Sequence, residues 1–442
     1  MKNHLDTINN EIFAPTLVII QDLPWGHPVL LMKRVYAHFA DDSLYRNSIY
    51  LMLSTAIISF FGFFFWMINA RLYTPEQVGI ATTLISVMGL IGSFTMLGLN
   101  VGIIRFLPNS ENKNEIINSS FTITAVLSIL LSIIFLSGLN IFSPLLLILR
   151  ENVFLASSFV IFIIIGSMNA IADSIFIAYR SAKYTLLKNF VFSISKLIFP
   201  FFLVAFNAYG IYASVGIASI IAFVVSIVLL IYYFKYQPKF SLNIRAIKKI
   251  GSYSFGNYIA GFLAALPVMV LPIIIANKIG AAEAGYFYIA LMTAGIIFII
   301  PNAATQSLFA EGSHREEEMK EHLMKSIKIT ALLLIPATLI IVFFGNYILL
   351  AFGKSYSSEA FRLLQLMAVS GIFVSINYIL STILKVRNRI KELIGINAFS
   401  ALVIVLLSYL FINLHLWGIG IAWLIGQAIM SLIFIFTVFR KK

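Results

Sequence analysis

Twelve long apolar runs, each closed by charged or turn-forming residues, dominate the chain. Each is continuously apolar for about 20 residues, the length an α-helix needs to cross a bilayer, and lacks the alternation of a barrel strand. The pattern predicts helices near 47–71, 78–104, 118–141, 153–178, 187–207 and 211–234, then near 251–277, 284–310, 327–351, 361–384, 392–412 and 416–439. Ahead of them, residues 1–46 place Pro15, Pro24 and Pro28 around apolar pieces at 17–20 and 29–32 that are too short to span. That segment reads as an interfacial or poorly ordered cytoplasmic extension, without a cleavable signal.

The two sets of six repeat one another. The turn from Arg71 to Gly79 returns at an offset of 206 as the turn from Asn277 to Gly285, each with an acidic residue (Glu76, Glu283) shortly before the glycine that opens the next helix. Basic turns at 180–188 and 385–391 match at nearly the same offset, and Tyr209-Gly210-Ile211 matches Trp417-Gly418-Ile419 at 208. Six spans per half make both halves cross in the same sense, which implies a pseudo-twofold axis along the membrane normal and a cavity between two lobes. The expected fold is an all-α integral membrane protein of twelve transmembrane helices. It has a first six-helix lobe at 47–234, a cytoplasmic linker at 235–250, and a second lobe with the C-terminal tail at 251–442.

Composition agrees. Sixty per cent of the 442 residues are hydrophobic, 11% are charged and the mean hydropathy is +0.96, which leaves too few charges for a water-facing surface. A soluble enzyme is excluded, and the absence of cysteine excludes a disulfide framework, a thiolate metal site and a cysteine nucleophile. The net charge of +13 is distributed by side. With the N-terminus inside, 25 of the 31 Lys and Arg fall in inner segments and five in outer loops. This bias puts both termini in the cytoplasm, a prokaryotic plasma membrane being the expected location, and headgroup contact accounts for the cations without nucleic acid.

The chain resembles the polysaccharide (O-antigen type) flippases of the multidrug/oligosaccharidyl-lipid/polysaccharide exporter superfamily. The resemblance rests on the stretch from Arg71 to Gly79, the following helix to Gly98-Leu99-Asn100 and Arg105-Phe106, Asp173 with Tyr179-Arg180-Ser181-Ala182-Lys183, and the repeat. It covers about residues 47–440. It implies a transporter, not an enzyme and without a cofactor, that flips a polyprenyl-pyrophosphate-linked oligosaccharide outward by alternating access. Glycosyltransferases or a polysaccharide polymerase are the implied partners. The lipid II flippase branch usually has fourteen spans and arginines within its first span, and this chain has neither. An ion-coupled drug or small-cation antiporter and a scaffold for glycan synthesis remain the alternatives.

Ionisable residues at membrane depth are few. Asp173 and Lys196 are the clear cases, on consecutive antiparallel spans, and counting from Arg180 and Lys188 as membrane edges gives them matching depths, so a salt bridge between them is expected. Asp173 is the candidate for ion coupling. Given an anionic substrate, Lys196, Arg71, Arg105 and Arg180 are the candidates for binding its phosphates, Arg105 at the inner mouth and Arg71 near the outer one. Each has a structural alternative: a self-neutralising pair, or snorkelling to headgroups. Pro267 and Pro272 in the seventh span are hinge candidates, with static kinks as the alternative. Asn257, Asn302, Gln306 and Asn377 offer groups for sugar hydroxyls or helix–helix bonds, and Gly98 with Gly102 suggests a close helix contact. Gly353-Lys354-Ser355 is no phosphate loop, because Ile348 stands where glycine is required, and His314 and His322 lack a metal-site context.

Overall fold

The computed structural model describes residues 43–314 and 319–440. Among them, twelve helices are long and apolar enough to cross a membrane. The first six are Ser43–Leu72, Pro75–Met96, Lys113–Ser137, Val153–Ala178, Ala182–Phe202 and Asn207–Phe234. The second six are Ile244–Lys278, Ala281–His314, Met319–Leu350, Phe361–Val386, Ile390–Leu410 and His415–Phe439. The expected extension at 1–46 lies outside the described residues except for its last four. The end of the bundle carrying Arg105, Arg180 and Arg389 is called the basic end below, and the end carrying Arg71 and Lys278 the far end.

Local chemistry sets the boundaries. Thr74 and Gln77 form a reciprocal capping box with Pro75 in the first turn, so the motif after the first span starts the second. The second span stops at Met96, short of the expected 104, because Leu97 (φ 46°) and Gly98 (φ 78°) turn left-handed and a separate short helix, Leu99–Phe106, follows. The Gly98/Gly102 spacing thus divides its work. Gly98 breaks the helix, and Gly102 lets the seventh span approach, since a Cβ there would stand 2.3 Å from Ile250 Cγ2.

The duplication is visible in the backbone. Short 3-10 turns at Val204–Phe206 and Ile412–Leu414 lead into Asn207 (φ 51°) and His415 (φ 52°), 208 residues apart. A Cβ on Gly210 would meet Leu203 O at 2.1 Å and one on Gly418 would meet Phe411 O at 2.0 Å, so only glycine fits either bend. The two lobes touch reciprocally at the far end. A Cβ on Gly79 would overlap Ala281 O at 1.6 Å, and one on Gly285 would meet Pro75 O at 2.7 Å, as an axis passing between these glycines requires. Arg71 donates to Ala351 O (3.0 Å) and Leu350 O (2.5 Å), while its equivalent Asn277 bonds Ser143 Oγ (2.8 Å) and Leu145 N (3.0 Å). Each lobe's first helix therefore reaches across to the other lobe.

Towards the basic end this symmetry is broken. The seventh span packs on the second, with Tyr258 OH donating to Ser93 O and Gly98 against Ser254 and Tyr258. An offset of 206 maps Tyr258 to Met52 and Ser93 to Ile299, yet Met52 is 69% and Ile299 51% exposed. At the basic end the lobes are joined along the second and seventh spans but not at the equivalent positions of the first and eighth, which meet only further along, where the Trp66 and Tyr288 rings are 4.7 Å apart.

The connection between lobes is not a loose tether. The seventh helix already starts at Ile244, and the extended stretch before it is bonded to the third span. Asn118 Oδ1 accepts from Tyr236 OH (2.5 Å) and Lys239 N (3.1 Å), Asn118 Nδ2 donates to Gln237 O (3.0 Å), and Ser119 Oγ accepts from Asn243 N (2.9 Å).

Candidate functional site

Burying an ion in a membrane protein requires a countercharge or a polar cavity, so each charge at depth has to be accounted for. Among the described residues Asp173 has one ionic partner, and it is Lys188: Nζ to Oδ2 is 2.6 Å, with the side chains 28% and 4% exposed. The expected Asp173–Lys196 bridge is corrected here. Lys188 does not mark the start of the fifth span, which begins at Ala182. Asp173 lies five residues from the end of its helix and Lys188 six from the start of its own, about 8 and 9 Å from the basic end at 1.5 Å per residue. Lys196 is eight residues further, about 12 Å deeper. Asp173 Oδ1 is buried without a hydrogen-bond partner.

Lys196 is 8% exposed, and its ammonium lies 5.3 Å from the Phe65 ring centre and 5.2 Å from that of Phe192. Among the described residues no carboxylate comes within 4.0 Å of it. Cation–π attraction offsets part of the desolvation cost but supplies no countercharge. The ammonium lies beside Gly62 of the first span, where a Cβ would stand 3.9 Å from Nζ, an ordinary contact.

The remaining candidates do not converge on Lys196. Arg180 ends the fourth span in a left-handed conformation (φ 51°), repeated 208 residues on by Asn388 (φ 57°). It lines a pocket of about 260 Å³ with Arg46, Lys183 and Tyr50, between the first and fifth spans at the basic end. Arg105, on the short helix, lines a different hollow of about 600 Å³ with Glu111 and Glu115. Arg71 sits at the far end, donating to the last carbonyls of the ninth span, an arrangement that also suits the helix dipole. Pro267 and Pro272 lie within one continuous helix, Ile244–Lys278. The side chains of Gln306, Glu311, His314 and His322 lie outside the described residues.

A second region stood out only weakly in the sequence. Within the second lobe a cavity of about 420 Å³ is lined by the seventh, eighth, tenth, eleventh and twelfth spans, with Asn257, Asn377, Asn397 and Gln427 on its walls. Asn377 Nδ2 donates to Gln427 Oε1 (2.9 Å) and Asn377 Oδ1 accepts from Ser431 (2.8 Å). Asn257 and Asn377 were legible as polar residues within spans. Asn397 and Gln427 were not singled out, because an isolated amide in an apolar run gives no sign of its neighbours.

Comparison with known proteins agrees with this geometry. The family described as polysaccharide biosynthesis protein matches residues 44–309, and the MatE family matches residues 260–410. An uncharacterized membrane protein of Methanocaldococcus jannaschii is 24% identical over 424 residues, covering 90% of this chain and 99% of that protein. Among solved structures, the lipid II flippase MurJ in an inward closed conformation superposes with a TM-score of 0.75 at 15% identity, over 88% of this chain and 87% of MurJ. An inward-facing multidrug resistance MATE family transporter of the MOP superfamily gives 0.68 at 14% identity, over 89% of this chain and 97% of its own. Two lobes of six helices related by a duplication, and a family match over more than half the chain, lead to one assignment: the chain belongs to the polysaccharide biosynthesis protein family and has the two-lobed, twelve-helix fold of the MOP superfamily.

Proposed function

We propose that the protein moves a polyprenyl-pyrophosphate-linked oligosaccharide across the plasma membrane by alternating access, with its basic end in the cytoplasm. The observation that carries this reading is Lys196, a buried ammonium held by two phenylalanine rings and by no carboxylate among the described residues. A site short of negative charge suits an anionic passenger, whose phosphates would supply what the protein withholds. Arg46, Arg180 and Lys183 line one pocket and would collect phosphate at the basic end, and Lys196 lies deeper on the same fifth span as Lys183. The exposed basic-end flanks of the first and eighth spans, at Met52 and Ile299, would let the polyprenyl tail stay in lipid while the polar head enters.

Closure of the basic end and opening of the far end would complete the cycle. Opening requires Gly79 to separate from Gly285 and Arg71 to release Leu350 and Ala351, with Pro267 and Pro272 as the points where the seventh span bends. A cation antiporter is disfavoured by the carboxylate inventory, since Asp173 already has Lys188 as its countercharge. Proteoliposomes containing the purified protein test the choice. Flipping of a fluorescent lipid-linked oligosaccharide without efflux of a cationic dye is expected, and the opposite result would reject the proposal.

A further inference from the structure

The cations that meet phosphate are all in the first lobe, whereas the cavity of about 420 Å³ is built by the second. Its volume falls within the range of small-molecule sites. Its chemistry is that of neutral, hydroxyl-rich ligands. Asn257, Asn377, Asn397 and Gln427 bring both donors and acceptors to its walls, and Lys385 at the rim is the one charged residue among its described lining. Tyr378, 36% exposed, adds a ring face for the C–H face of a pyranose, while Trp423 is buried behind the wall with its indole N–H donated to Ser370 Oγ at 3.1 Å.

Two further features bear on this cavity. Asn397 is 4% exposed; its Nδ2 donates to Ala260 O at 2.8 Å, yet its Oδ1 is buried without a partner. Such an orphan costs about 1–3 kcal/mol, which a hydrogen-bond donor brought in by a ligand would relieve. In addition, Asn257, Gly261, Ala264 and Val268 lie along one face of the seventh span, all are exposed, and a Cβ on Gly261 would meet no atom within 4 Å. The cavity is therefore open along the helix that joins the two lobes.

We propose that this cavity is a glycan subsite, taking the sugar residues of the passenger through their hydroxyl and acetamido groups while the first lobe holds the pyrophosphate. The inference rests on the transport reading above and adds a division of labour between the lobes. Hydrogen-bonding sites of this kind discriminate strongly against a ligand lacking the matched groups, because their amides are then left unpaired.

Binding of two probes to the purified full-length protein tests it: polyprenyl pyrophosphate bearing chitobiose, and the same lipid without sugar. Wild-type protein is expected to bind the sugar-bearing lipid more tightly. Asn257→Leu removes one amide and Ala264→Phe fills the open face, and both sites are exposed, so folding is retained. Each variant is expected to lose on the order of tenfold in affinity for the chitobiosyl lipid and to bind the bare lipid unchanged. Equal affinities of the wild type for the two lipids, or variants that keep the wild-type preference, would overturn the subsite and leave the transport reading standing. A wild type that binds neither lipid would overturn both.

Discussion

Replacing Lys188 by methionine tests the reassigned ion pair. The substitution keeps the bulk of the side chain and removes the ammonium 2.6 Å from Asp173 Oδ2. Asp173 then keeps a carboxylate that is 28% exposed, with one oxygen already unpartnered. Removing one member of a buried pair costs about 3–5 kcal/mol, and the lower end applies here because the carboxylate is partly exposed. At roughly 1–2 °C per kcal/mol for a chain of this length, the midpoint of thermal unfolding in detergent should fall by about 3–6 °C. Replacing Asp173 by leucine in the same protein should recover most of that loss, because a well-packed apolar pair can substitute for a buried ionic one. Lys196→Met should behave differently, with an unchanged or higher midpoint, since it removes a charge that has no carboxylate partner among the described residues. If Lys196→Met were the destabilising change and the Asp173 substitution rescued it, the pairing of Asp173 with Lys188 would be refuted.

Other expectations concern the moving parts. Gly79→Val should wedge the far ends of the lobes apart, because its Cβ would overlap Ala281 O; cysteine pairs introduced across this junction should then cross-link less than in the parent, whose lack of native cysteine makes the experiment clean. Arg71→Ala removes the two bonds to Leu350 and Ala351 and should weaken the same junction by about 1–2 kcal/mol at this exposed position, read as increased labelling of a cysteine placed at Thr74; unchanged labelling would mean that the arginine is no latch. Asn118→Ala strips three bonds from the inter-lobe connection, and proteolysis within 235–243 should accelerate on the order of tenfold, whereas an unchanged rate would show that the clamp is dispensable.

Much of this fold was legible in the chain because membrane insertion forces a simple code. Long apolar runs had to be helices, and the alternation of Lys and Arg between connections marked the two ends. The duplication could be read at Gly210 and Gly418, where close backbone approach allows only glycine. The boundary of the fifth span was misread for a physical reason: a lysine normally marks a membrane edge, but Lys188 is neutralised within the bundle by Asp173 from the neighbouring helix. The second-lobe cavity was obscured for a related reason. Its amides come from different helices, so their proximity depends on helix rotation and packing and leaves no periodic trace. Asn118 and Ser119 likewise read as an ordinary polar helix start, and their partners lie more than a hundred residues away.

The most direct test of the account is the rate at which proteoliposomes carry a fluorescent polyprenyl-pyrophosphate oligosaccharide from one leaflet to the other, compared between wild type and variants of Lys196. Transport is expected in the wild type, loss of at least tenfold in Lys196→Met, and substantial recovery in Lys196→Arg, which restores the charge. Undiminished transport by Lys196→Met, in a protein that folds normally, would contradict the claim that this buried cation meets the passenger's phosphates.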